Sequence, residues 1–185
     1  YHLVYISTGE LLRRELKEET SLGLEAKEII ASGGLVSDEI IVQIIEKAIT
    51  ENRGANGFLF DGFPRTTIQA YILEGLMIKL NTSLTCLINL EVPETVSVER
   101  LLERGKSSGR LDDNEVVIRN RLREYNEKTL PVLNFYRDKG VRFDIDATSS
   151  IESVSREVSA LVRQEMSKKL RSEEHTSELQ SLSHI

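Results

Sequence analysis

The sequence predicts an α/β protein, a doubly wound parallel sheet flanked by helices. Two observations carry this expectation. Four short, mainly apolar runs lie at residues 4–6, 58–60, 84–90 and 141–145, and those at 58–60 and 84–90 read as continuously apolar, as strands covered on both faces do. Each run leads into a stretch of helical periodicity, an order that calls for parallel pairing through right-handed crossovers with helices on both faces.

The elements follow in order. Residues 4–6 are short, apolar and largely β-branched, and Ser7-Thr8-Gly9-Glu10 fits a capping box that opens a helix over 11–17. A second helix spans about 22–32 and stops at Gly33-Gly34. A third begins at Ser37-Asp38-Glu39, with Ile40, Ile41, Ile44, Ile45 and Ala48 at helical spacing. Phe58-Leu59-Phe60, expected to be buried on both faces, runs into Asp61-Gly62-Phe63-Pro64-Arg65, and residues 66–80 are mostly helical. The strand over 84–90 precedes a helix over 94–104 and a loop over 105–113 that is rich in Gly and Ser. Residues 114–139 read as helical, with Pro131 requiring a kink or a break. The last strand passes through Asp146-Ala147-Thr148-Ser149 into a final helix.

Composition narrows the function. The chain has 185 residues, 39% hydrophobic and 29% charged, ordinary usage for one globular domain. Its net charge of -6 argues against general nucleic-acid binding, which needs a basic face. The lone Cys86 sits in an apolar run and reads as an inert core thiol, and His2, His175 and His184 form no ligand cluster. Zinc is therefore not expected. No stretch has the roughly 18 to 20 continuous apolar residues of a membrane span, and the expected location is the cytoplasm.

Several residues have the chemistry to hold phosphate. Ser7 to Glu10 set a hydroxyl at a helix N-terminus with Arg13 one turn in, where amides and dipole favour an anion. Asp61-Gly62-Phe63-Pro64-Arg65 ends a strand with a carboxylate, a flexible glycine, a rigid proline and a guanidinium, at the sheet edge where open parallel sheets bind ligands. Asp61 can hold magnesium through water, Arg65 offers a planar fork, and the Gln69 amide can read a base edge. Arg100 and Arg104 share a helix face, Arg110 follows in the loop, and Arg121 lies on the next helix. Such arginines repel unless a polyanion lies between them. Arg119 and Arg123 read as solvated.

These blocks resemble the adenylate kinase family at residues 6–13, 57–66 and 109–113, and the resemblance runs in order from Tyr1 to about Val162. It implies reversible phosphoryl transfer, ATP + AMP = 2 ADP, with magnesium, in a fold like that of the P-loop nucleoside triphosphatases (NTPases). It assigns Thr8, Arg13, Gly34, Leu35, Val36, Gly62, Phe63, Pro64, Arg65, Gln69, Arg110 and Arg121 to AMP, and Arg100, Arg104 and Ser149 to ATP, with the turn around Thr148 beside the adenine. Arg65, Arg100, Arg104, Arg110 and Arg121 would be catalytic, and Asp61 would place magnesium. Related UMP/CMP kinases usually have alanine at the position of Thr8 and asparagine at that of Gln69, so both residues favour AMP. The loop after Arg104 resembles the short, zinc-free lid, with residues 106–109 closing over ATP. A monomer is the family's usual state.

The resemblance also defines two departures. No glycine-rich G-x-x-G-x-G-K loop occurs in the 185 residues, so roughly two dozen residues, a strand, loop and helix in size, are expected upstream. The strand among them is the central one in this family, and negligible transfer and poor folding are expected of the chain as it stands. The expected core is residues 1–170, with AMP-binding helices over about 7–36 and the lid over about 105–113. Residues 171–185 resemble the translation of a sequencing-library adapter and are expected to be a non-native tail. A function of another class, AMP binding without catalysis, is the alternative.

Overall fold

The computed structural model describes residues 1–108 and 114–182. Strands β1 (Val4–Ser7) and β2 (Phe58–Asp61) pair in parallel, with Ser7 opposite Asp61. Strands β3 (Leu87–Glu91) and β4 (Arg142–Asp146) also pair in parallel, with Glu91 opposite Asp146. The parallel α/β class is as expected. The four strands form two separate two-stranded ladders rather than one continuous sheet.

Side-chain caps set the helix starts. Ser7 accepts from the Glu10 amide and opens α1 (Thr8–Lys17), three residues earlier than the sequence suggested, because the cap residue is itself the last strand residue. Thr20 caps α2 (Ser21–Ala31), Ser37 caps α3 (Asp38–Glu51), and Thr66 caps α4 (Thr67–Lys79). Helix α5 (Glu94–Ser108) runs four residues into the expected lid loop. The rest of that loop, Gly109 to Asp113 and with it Arg110, lies outside the described residues.

Asn114 caps α6 (Glu115–Glu124), which passes through a π-helical turn at Tyr125–Thr129 into α7 (Leu130–Asp138). Pro131 requires this departure. A proline has no N–H to donate and its ring clashes with the carbonyl four residues back, and the wider turn lets the Leu130 amide bond to Tyr125, five residues back. Helix α8 (Ile151–Leu182) continues into the expected tail, since no Gly or Pro interrupts residues 151–182.

The larger core lies under β1 and β2, where Ile40, Ile41, Ile44, Ile45 and Ile49 of α3 meet Ile6, Phe63 and Leu73. A smaller cluster of Ala70, Val132 and Tyr136 packs against Leu84 and Leu87. Burial on both strand faces, expected of β2, does not hold: Leu59 is 53% exposed and its neighbour Tyr5 52%. Among the described residues only one face of this ladder packs against the core, so the alternate side chains stay open. Between β2 and β3 lies a cavity of about 1920 Å³ that both strands line.

Candidate functional site

The carboxyl ends of β1 and β2 meet the N-termini of α1 and α4 at the wall of this cavity. Thr8 is 2% exposed and donates its hydroxyl to the Gly62 carbonyl at 2.9 Å. Gly62 turns the chain out of β2 at φ +74, and a Cβ there would come within 2.5 Å of Arg65 Nη2 and 2.8 Å of Thr8 Oγ1. Only glycine meets both demands. The turn lets Arg65 fold back, its Nε donating to Gly62 O at 2.8 Å, while Thr129 donates to the Arg65 carbonyl at 2.9 Å.

Burial, Arg121 and Arg13 depress the Arg65 guanidinium's pKa, against the opposing pull of Asp61. Cations this close, in a half-buried setting, favour a bound anion. Asp61 has its Oδ2 held by the Tyr5 hydroxyl at 2.7 Å and by Ser7 at 3.3 Å. Its other carboxylate oxygen takes no hydrogen bond among the described residues. That donor set fits magnesium, which commonly binds one or two carboxylates together with waters and substrate phosphates. No cluster of three or more His, Cys, Asp or Glu able to hold a metal occurs among the described residues.

The sequence-predicted AMP residues converge. Thr8, Arg13, Gly34, Leu35, Val36, Gly62, Phe63, Pro64, Arg65, Gln69 and Arg121 all line the one cavity, as does Asp61. The predicted ATP residues do not: Arg100, Arg104 and Ser149 are absent from its wall, whereas Thr148 is present. Arg100 instead donates to the carbonyls of Ala147 at 2.8 Å and Thr148 at 3.4 Å. Arg119 pairs with Glu115 on the surface, as a solvated arginine does. Cys86 is half-buried at the cavity wall, and burial, reinforced by Glu165, pushes its thiol pKa up.

Two supporting residues were missed. Tyr5 reaches Asp61 because the ladder register puts Leu59 opposite it and Asp61 two positions on, along the same face. Asp38 accepts from Gln69 Nε2 at 2.9 Å and from Thr66 at 2.8 Å. Tyr5 carries a signal only once the strand pairing is known, and Asp38 carries none beyond its place beside a helix cap.

A parallel α/β core that gathers guanidiniums, a carboxylate and a buried amide at its strand ends defines a nucleotide-dependent phosphotransferase. The adenylate kinase family model matches residues 1–141. An adenylate kinase of Leptospira biflexa is 43% identical over 155 residues, 84% of this chain and 83% of that protein. Adenylate kinases of Flavobacterium psychrophilum and Prochlorococcus marinus are 39% and 44% identical, covering 88% and 84% of this chain and 86% and 82% of their own lengths. The chain belongs to the adenylate kinase family, whose reaction is phosphoryl transfer between ATP and AMP to give two ADP.

Proposed function

We propose that AMP is the acceptor nucleotide and that it binds at the carboxyl ends of β1 and β2. The carrying observation is the convergence of Arg13, Arg65 and Arg121 with the buried Gln69 amide on one cavity. The arginines hold the AMP phosphate, Gln69 reads the base, and the apolar link at Leu35 and Val36 packs beside it.

Phosphoryl transfer needs no covalent enzyme intermediate, so alignment and charge neutralisation supply the rate. Magnesium, held through water by Asp61, would neutralise charge on the phosphates. Arg65 and Arg121 would keep the acceptor phosphate in line, and Arg100, Arg104 and Arg110 would join them from the other nucleotide. Thr148 and Ser149 would border the ATP adenine, and residues 105–113 would act as the lid that excludes water. A cytoplasmic monomer that needs no zinc is the form proposed, and no described helix is long and apolar enough to cross a membrane.

Binding tests the acceptor most directly. Calorimetric titration of the purified chain with AMP, UMP and CMP is expected to give AMP at least about a tenfold advantage over UMP. UMP binding as tight as AMP would favour the pyrimidine acceptor instead.

A further inference from the structure

The cavity wall at Gln69 has a second layer behind it. Gln69 is 2% exposed, and both ends of its amide meet groups whose hydrogen-bonding sense is fixed. The Arg65 backbone N–H donates to Oε1 at 2.8 Å, and Nε2 donates to Asp38 Oδ1 at 2.9 Å. Thr66 donates its hydroxyl to the same Asp38 oxygen at 2.8 Å.

A backbone N–H can only donate, and a carboxylate can only accept. Turning the Gln69 amide by half a revolution would set its NH₂ against the Arg65 N–H and its oxygen against the Asp38 carboxylate. Both bonds would be lost, and buried polar atoms would face their own kind. An amide carries two N–H groups and two lone pairs on oxygen. One of each is used in the wall, so one donor and one acceptor remain, in a fixed order.

We propose that Asp38, which does not itself line the cavity, is a positioning residue that sets the base specificity of the site. This rests on the AMP reading above. By fixing the sense of the Gln69 amide together with the Arg65 N–H, Asp38 selects a base with a ring-nitrogen acceptor beside an exocyclic amino group. It rejects a base with a ring N–H beside a carbonyl, whose pattern is the reverse. Adenine has the first edge and hypoxanthine the second, on purine rings of the same size, so AMP and IMP differ in the very feature that Asp38 controls. An unpinned glutamine would rotate to serve either base.

The test is calorimetric titration of the purified chain and of Asp38→Asn with AMP and with IMP, folding being checked by a thermal melt. The asparagine amide presents either a donor or an acceptor, so only the Arg65 N–H is left to hold the sense of Gln69, and the reversed amide then loses one bond rather than two. The wild-type chain is expected to prefer AMP by about thirtyfold or more, and Asp38→Asn is expected to reduce that ratio by about tenfold, chiefly by strengthening IMP binding. A role in fold stability alone would weaken both nucleotides together and leave the ratio unchanged, which would overturn the proposal. Wild-type binding of IMP within about threefold of AMP would overturn it as well, whatever the variant does. Failure of wild-type chain with a cooperative thermal melt to bind AMP at all would instead overturn the AMP reading on which the proposal stands.

Discussion

The two ladders end in different chemistry. At the ends of β1 and β2, Ser7, Thr8 and Gln69 are buried polar side chains, each hydrogen-bonded. At the ends of β3 and β4, Glu91, Asp146 and Thr148 stay exposed, and Asp146 accepts from the Thr148 amide at 2.8 Å. A buried polar group with its partners in place has one orientation, while an exposed one exchanges with water at little cost. The first half is thus a preorganised surface. The second has solvated groups around an arginine tied to its own loop.

The sharpest way to break this comparison is to truncate one arginine in each half. Arg65→Ala is expected to weaken AMP binding about 100-fold, since charge-assisted hydrogen bonds contribute about 1.5 to 3 kcal/mol each. Arg100→Ala should weaken it less than about threefold, because Arg100 bonds to the β4–α8 loop. Equal losses by calorimetry would remove the distinction between the halves.

Glycines with the same backbone sharpen it further. Gly62 and Gly140 have φ of +74 and +72, but a Cβ at Gly140 would meet nothing within 4 Å. Gly140→Ala should therefore cost about 1 kcal/mol in urea unfolding from its left-handed backbone alone. Gly62→Ala should cost about 2 kcal/mol or more and weaken AMP binding too, as Arg65 and Thr8 give way.

The smallest effect falls at Tyr136, which is fully buried with no hydrogen-bond partner for its hydroxyl among the described residues. Tyr136→Phe should be neutral or stabilising by up to about 1 kcal/mol. Burial, and then Glu74, raise the phenol's pKa. The folded chain therefore keeps a proton that the unfolded chain releases above about pH 10, so this contribution is intact below that pH and falls as pH rises. Phe removes the alkaline loss, and denaturant midpoints at pH 8 and about pH 10.5 would show whether it does.

Local signals made much of the fold legible. The caps at Ser7 and Ser37 and the isoleucine stripe of α3 are written within a few residues of sequence. Asp61, Gly62 and Arg65 are likewise neighbours, and their joint lining of the cavity follows from the strand that ends at them. The contact between Gln69 and Asp38 spans 31 residues and that between Tyr5 and Asp61 spans 56. Such pairs depend on how elements dock, which no local pattern encodes. The exposure of Leu59 was missed for a related reason: an apolar run states what a strand can bury, not whether a neighbour arrives to cover it.

The π-helical turn sets the rotational phase of a nearly continuous rod. Before it, α6 faces the link after α2, where Asn120 donates to the Ser32 carbonyl at 2.7 Å and Arg121 lies beside Gly33. After it, α7 turns Val132 and Tyr136 towards the smaller core. Each residue advances a helix by about 100°, so the added residue in the turn lets one rod address both halves of the molecule. Thr129, at the end of the turn, donates to Arg65. Deleting one residue there would rotate α7 against α6 by about a quarter of a revolution, and Thr129 would lose its place opposite the Arg65 carbonyl.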